Sequence, residues 1–142
     1  ELWGLTGLLH DIDYDKTADD PSRHSMLGAE ILEDLGVDDE VVYAVRAHNE
    51  YHGIERKRKI DKALYCADPV SGLITAGALI LPSKKLEEVT VDFIMKRFNE
   101  KSFARGANRE QIKRCEDLEL QLEQFIEFSL AAMKGIAREL GL

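Results

Sequence analysis

Apolar residues recur at helical spacing along almost the whole chain, and no segment alternates in the two-residue period of a half-buried strand. Glu1 to about Asp11 carries Leu2, Leu5, Leu8 and Leu9 and starts inside that pattern without a capping residue, so the natural domain is expected to begin earlier. Asp13 to Pro21 is polar and reads as a loop. His24 to Leu35 repeats Leu27, Ile31, Leu32 and Leu35, and Gly36 supplies a stop. Asp38 or Asp39 can cap the next helix, which carries Val41, Val42 and Val45 and reaches His48. Asn49 to Lys59 is a second polar loop. Asp61 can cap a helix through Leu64, Tyr65 and Asp68, and Pro69 then forces a break or opens a new helix. Thr90 to Phe98 is a short helix, Asn108 with Gln111 has the form of a capping box, and Leu122 to Leu140 is a long closing helix. The expectation is one all-α domain over residues 1–142, with about six to seven helices.

The bulk properties narrow this further. The chain has 142 residues, 44% hydrophobic and 32% charged, a globular balance long enough to bury a core. The longest apolar run, Val70 to Leu81, is interrupted by Ser71, Gly72, Thr75 and Gly77 and reads as a buried core helix, not a membrane span. Glu1-Leu2-Trp3-Gly4 lacks the basic start of a secretory signal. Cys66 and Cys115 are too few for a disulfide scaffold and form no zinc-type pair, so they read as ordinary half-buried thiols in a reducing compartment, which points to the cytoplasm. The net charge of −8 leaves no global field to draw in nucleic acid. Attraction for a phosphorylated ligand would have to be local.

Candidate chemistry begins at Gly7-Leu8-Leu9-His10-Asp11-Ile12-Asp13. Adjacent helical residues point about 100° apart, so a His-Asp pair shares one ion only near a helix end, and here the apolar run finishes at the pair. Imidazole plus carboxylate points to Mn, Fe, Zn or Mg chemistry rather than to a thiolate site. The plain structural reading is a pair capping a helix end. Asp68 sits in an apolar neighbourhood, where a metal, a cation or an N-cap would each account for a carboxylate. His24 and His48 each fall at one end of a predicted helix beside a polar loop. His52 follows His48 by four residues, but Asn49 and Gly53 argue that the helix has ended and that His52 is a loop residue.

In combination these residues resemble the HD superfamily of metal-dependent phosphohydrolases. The resemblance is carried by Gly7-Leu8-Leu9-His10-Asp11-Ile12-Asp13-Tyr14-Asp15, by His24-Ser25-Met26-Leu27-Gly28-Ala29, by Ala47-His48-Asn49 and by Ala67-Asp68-Pro69, in the family's order and approximate spacing. Lys101-Ser102-Phe103-Ala104-Arg105-Gly106 and the closing helix are similar to a small HD or HDIG hydrolase subgroup. The resemblance implies that His10, Asp11 and Asp68 are metal ligands. It implies that His24 and His48 hold a second metal or contact the substrate phosphate, and that Asp11, with these two, is catalytic. It also places a further metal-binding His on a helix ahead of Glu1, so this chain is expected to lack the family's N-terminal helix. The implied cofactor is one or two divalent ions (Mn, Fe, Zn, Mg or Ni).

Lys16, Arg23, Lys101 and Arg105 are the basic residues expected near a phosphate, with Arg23 and Arg105 facing the pocket. The run Glu55-Arg56-Lys57-Arg58-Lys59 reads as a solvated loop, with a phosphate grip as the functional alternative. The leading expectation is therefore metal-dependent hydrolysis of a phosphomonoester or nucleotide. The rival is a non-catalytic HD scaffold that binds metal or nucleotide as a regulatory module, or an inactive fragment. Expected partners are small phosphorylated molecules, without membrane or a large nucleic-acid surface, and a second copy of the chain through an exposed N-terminal face.

Overall fold

The computed structural model describes all 142 residues, and every regular element in it is helical, as the periodicity predicts. In chain order these are α1 (Leu2–Leu9), α2 (Tyr14–Thr17), α3 (Met26–Asp34), α4 (Asp39–His48), α5 (Lys59–Leu79), α6 (Val91–Asn99), α7 (Arg109–Lys113), α8 (Leu122–Gly135) and α9 (Ala137–Leu140). Short 3₁₀ turns lie at Glu50–His52, Leu86–Glu88 and Arg114–Leu118. Six of the α-helices have eight residues or more, and α2, α7 and α9 are little more than single turns. No helix is long and apolar enough to cross a membrane. The chain divides into two units, Glu1–Tyr65 and Cys66–Leu142, and the division falls inside α5.

In the first unit α1, α3 and α4 share a core of Ala29, Leu32, Val41, Val42 and Val45, with Leu2 and Leu9 packed against it. Of the two candidates Asp38 and Asp39, it is Asp38 that caps α4, its carboxylate accepting from the Glu40 N–H at 2.8 Å. Gly36 ends α3 in the left-handed conformation, φ +69°, that a side chain disfavours. Asp61 departs from its predicted N-cap position. It lies within the first turn of α5, fully buried, and its carboxylate reaches back to accept from the N–H groups of Lys57 and Arg58 at 3.1 and 2.9 Å. The basic run ahead of it is held by aromatic faces: the Arg56 guanidinium lies 3.7 Å from the Tyr65 ring centre, and Lys57 and Arg58 lie 5.5 and 5.6 Å from that of Tyr43.

In the second unit the apolar flank of α5 (Val70, Leu73, Ile74, Ala78) packs with Ile94 of α6 and Ile126 of α8. Burial of that flank carries α5 straight through Pro69, where the sequence predicts a break or a new start. One missing N–H costs less than withdrawing four apolar side chains from the core. The predicted closing helix stops early, because Ile136 (φ −122°, ψ 21°) leaves helical geometry after Gly135 and α9 forms a separate turn. Thr90 and Asn108 cap α6 and α7 through their side chains, accepting from Phe93 and from Glu110 and Gln111 respectively.

Arg109 is the least anticipated structural residue. Its guanidinium donates to the carbonyls of Arg97, Phe98, Glu100, Phe103, Ala104 and Ala107, at 2.6 to 3.5 Å. Those carbonyls belong to the last turn of α6 and to the loop after it, where backbone bonds are confined to isolated turns. Both cysteines are free thiols and fully buried rather than half-buried. Burial, reinforced by the negative charge of Cys115 and Asp117, pushes the Cys66 thiol up to about 12.

Two outcomes follow from this packing. Arg109→Met is expected to lower unfolding free energy by about 3 kcal/mol or more in urea titrations, since several charge-assisted bonds go at once. Lys113→Ala, which removes only a surface ion pair, is expected to change it by less than about 1 kcal/mol. Equal effects would mean that Arg109 is not what orders the loop. Cys66 is expected to resist a thiol reagent at pH 8.5 until urea unfolds the chain. A thiol with its pKa raised stays protonated until the pH approaches that value, and rapid labelling of the native protein would contradict the burial.

Candidate metal centre

Four residues at element ends converge in the first unit. His10 follows the last residue of α1 and Asp11 the turn after it, His24 precedes α3, and His48 is the final residue of α4. The three rings stand edge to face, with centroids 5.3 Å apart for His10 and His48 and 5.1 Å for His24 and His48. Metal-ligating atoms of Asp11, His24 and His48 all lie within 4.8 Å of one another.

The protonation pattern of the rings follows from their other partners. Nδ1 of His10 lies 2.8 Å from the Gly7 carbonyl and Nδ1 of His48 lies 2.6 Å from the Val45 carbonyl. Nδ1 of His24 lies 3.1 Å from Asp13 Oδ1. Each of these oxygens can only accept, so each Nδ1 carries the hydrogen, and in the neutral ring each Nε2 is left with a lone pair. All three Nε2 atoms face Asp11: His10 at 3.5 Å from Oδ2, His24 and His48 at 3.4 and 3.7 Å from Oδ1. These separations exceed ordinary hydrogen bonds. Three Nε2 atoms set around a carboxylate are held there by positive charge, from protonated rings or from a cation among them, and three imidazole nitrogens with a carboxylate form a donor set that fits a divalent metal. Burial acts to raise the Asp11 carboxyl, but its interaction with His48 and the charges that His10, His48 and His24 can carry outweigh it and hold the pKa below the usual carboxylate value. The carboxylate therefore stays available as an anionic ligand. Asp11 is also 44% exposed, so the cluster has an open side.

Behind His24 stands Asp13, which the sequence places at the start of a polar loop and which the structure buries completely. Its Oδ1 accepts from His24, and its Oδ2 accepts from the N–H groups of Ser25 and Gly28 at 2.8 and 2.9 Å. Ser25 sits at φ +69°, a conformation that costs a non-glycine residue about 1–3 kcal/mol and persists only where its surroundings enforce it. Gly28 leaves room for the carboxylate: a Cβ there would stand 3.2 Å from the Asp13 Cγ. The predicted loop from Asp13 also contains the turn α2, whose Thr17 hydroxyl donates to the Asp13 carbonyl at 2.9 Å. His52, read from the sequence as an ordinary loop histidine, places Nε2 2.9 Å from the His24 carbonyl, and Asn49 donates to the same oxygen at 3.0 Å. Asp13, Asn49 and His52 are thus site residues that the sequence reading missed. The available signal for Asp13 was a second carboxylate two positions after the His-Asp pair.

Of the other predicted residues, Lys16 and Arg23 belong to the first unit and Asp68, Lys101 and Arg105 to the second. Lys16 is exposed on α2 and Arg23 is exposed in the turn before His24. Asp68 is part of α5 in the second unit, partly buried, and its carbonyl accepts from the Ser71 hydroxyl at 2.7 Å. It is not an N-cap, because the helix continues through it. Lys101 and Arg105 are exposed on the loop between α6 and α7.

Comparison with known proteins agrees with this geometry. The family described as HD domain matches residues 1–91, which hold the whole cluster. An uncharacterised protein of Methanocaldococcus jannaschii is 33% identical over 120 residues, covering 80% of this chain. The chain spans 66% of that relative's length. No solved structure matches.

The role of Asp13 has a direct test. In Asp13→Asn the amide oxygen can still accept from Ser25 and Gly28, while the NH₂ group faces His24 Nδ1 and favours the opposite tautomer. Nitrogen-15 NMR of the histidine rings is expected to show the hydrogen moved to Nε2 of His24. Metal affinity should fall about 10–100-fold, the usual effect of removing a carboxylate behind a ligand. An unchanged tautomer would show that Asp13 does not set it.

Proposed function

Because the chain belongs to the HD domain family, we propose that the cluster of His10, Asp11, His24 and His48 holds a divalent metal and that the protein hydrolyses a small phosphate ester, a phosphomonoester or a nucleotide. The observation that carries this reading is the convergence of three histidine Nε2 atoms on one carboxylate. HD domains are generally metal-dependent hydrolases, which supports the reaction class. The donor set is borderline in character and suits Mn, Fe, Zn or Ni, with Mg as the hard extreme.

One ion or two are compatible with the carboxylate's position. Asp11 presents Oδ1 to His24 and His48 and Oδ2 to His10, so both carboxylate oxygens would be available to hold an ion. A divalent ion bound there supplies Lewis-acid polarisation of a phosphoryl oxygen and lowers the pKa of a water molecule toward neutrality. The remaining work falls to side chains. Asp13 keeps His24 in its ligating tautomer, and the carbonyls of Gly7 and Val45 do the same for His10 and His48. Asn49 and His52 anchor the backbone at His24, so that the ring starts from a fixed point. The exposed side of Asp11 leaves access for a substrate. With a net charge of −8, nucleic acid is a poor partner and a small phosphorylated molecule a suitable one.

Elemental mass spectrometry of the purified chain, beside His24→Gln/His48→Gln, tests the centre first. Near-stoichiometric metal is expected in the parent and less than about a tenth of it in the variant, since loss of two ligands removes most of the affinity. Phosphate release from a panel of phosphomonoesters and nucleotides, with Mn, Fe, Zn, Mg or Ni added, tests the reaction. Metal retention without turnover on any of these would replace the hydrolase reading with that of a regulatory metal-binding scaffold. No metal under any loading condition would overturn both.

A further inference from the structure

Several cations of this acidic chain are matched by carboxylates: Arg46 by Glu33, Arg97 by Glu100, Lys113 by Glu110 and Arg114 by Asp117. Three others lie together. Lys101, Arg105 and Arg109 line one open hollow of about 500 Å³, together with Asn108, and none of the three is paired with a carboxylate. The acidic residues nearest to them in sequence, Glu100 and Glu110, are the ones engaged by Arg97 and Lys113. Arg109 is engaged by carbonyls, which leaves Lys101 and Arg105 as two free positive charges in one hollow of a protein of net charge −8.

The backbone strengthens the effect. Arg109 draws the carbonyls of Glu100, Phe103, Ala104 and Ala107 onto itself, so the negative ends of these peptide dipoles are already taken. Ala104 is held at φ +44°, in the left-handed region, with its carbonyl 2.8 Å from Arg109. A left-handed residue within a turn is the kind of geometry from which loops make anion-binding concavities. Lys101 and Arg105 therefore project from a backbone that is fixed before any ligand arrives, which lowers the entropy cost of binding. A neighbouring hollow shares Gly106 and Ala107 with this one and is lined by Asp68, Ser71 and Gln111.

We propose that this hollow binds a phosphoryl oxyanion, the phosphate group of a small phosphorylated ligand. Lys101 and Arg105 are its donors, and Arg109 is a positioning residue that sets the loop and supplies fixed positive charge beneath it. Arg105 suits phosphate because a guanidinium fork can engage two of its oxygens at once. A nucleic-acid backbone would need a basic track, whereas the charges here occupy one hollow. The binding of an oxyanion here does not rest on the reading of the metal centre given above.

Titration of the full chain with inorganic phosphate at constant ionic strength, followed by amide NMR, tests the site. The amides of residues 101–107 are expected to shift saturably. In Lys101→Ala/Arg105→Ala the affinity should fall about tenfold or more, as expected when charge-assisted bonds are removed. Lys84→Ala/Lys85→Ala, which removes two exposed lysines elsewhere, should leave the titration unchanged. Amides that stay in place, an undiminished response in the first variant, or an equal loss in the second would each overturn the proposal. Hydrolysis by the parent chain is measured separately. A loop that responds to phosphate in a chain that hydrolyses nothing would support this site and count against the hydrolase. Hydrolysis without a loop response would do the reverse.

Discussion

The buried Asp13 carboxylate is the constraint on which the rest of the first unit's site depends. A carboxylate removed from water is costly unless its oxygens are satisfied, and three donors satisfy this one: His24 Nδ1, the Ser25 N–H and the Gly28 N–H. The three bonds bring the polar stretch after α1 onto the start of α3. They also hold Ser25 in its unfavourable backbone conformation and leave only tight space for a side chain at position 28. Orientation of His24 is then a consequence of folding and needs no metal to impose it.

The same principle extends around the cluster. Each histidine has one ring nitrogen committed to an acceptor belonging to its own neighbourhood, which turns the other nitrogen toward Asp11. Such preorganisation removes part of the ordering cost of binding an ion. It also explains why the site is assembled at element ends. There a side chain can turn away from the helix surface while its backbone stays anchored, as at His48, the last residue of α4. In the second unit Arg109 plays the corresponding structural part with opposite charge, satisfying carbonyls where Asp13 satisfies N–H groups.

Much of the fold was legible from the sequence because its signals are local. Asp38, Thr90 and Asn108 each cap a helix two or three residues away, and the apolar positions of α3, α4 and α8 recur within one or two turns. His10, Asp11, His24 and His48 were legible for a related reason: each interrupts an apolar period where a helix ends, and together they resemble one family's motif. Pro69 misled because its local cost is real, and only the buried flank beyond it shows that the cost is met. The early end of α8 was equally hidden, since Leu140 continues the apolar period after the backbone has turned at Ile136.

The sequence by itself determined that this chain is helical, where most helices start, and which residue types could meet at a metal. It did so because those properties depend on neighbours within about four positions. Only the tertiary structure decided that Asp13 would be buried and Asp11 left open, although the two stand two residues apart. The same holds for His52 and Asn49 bracing His24, and for Arg109 serving as a hub of carbonyls rather than a surface charge. The partners of Asp13 lie 11 to 15 residues along the chain, and those of Asn49 and His52 at His24 lie 25 and 28. At such separations the choice among polar partners is made by the packing of α1, α3 and α4, which brings a few of them within bonding distance and leaves the rest in water.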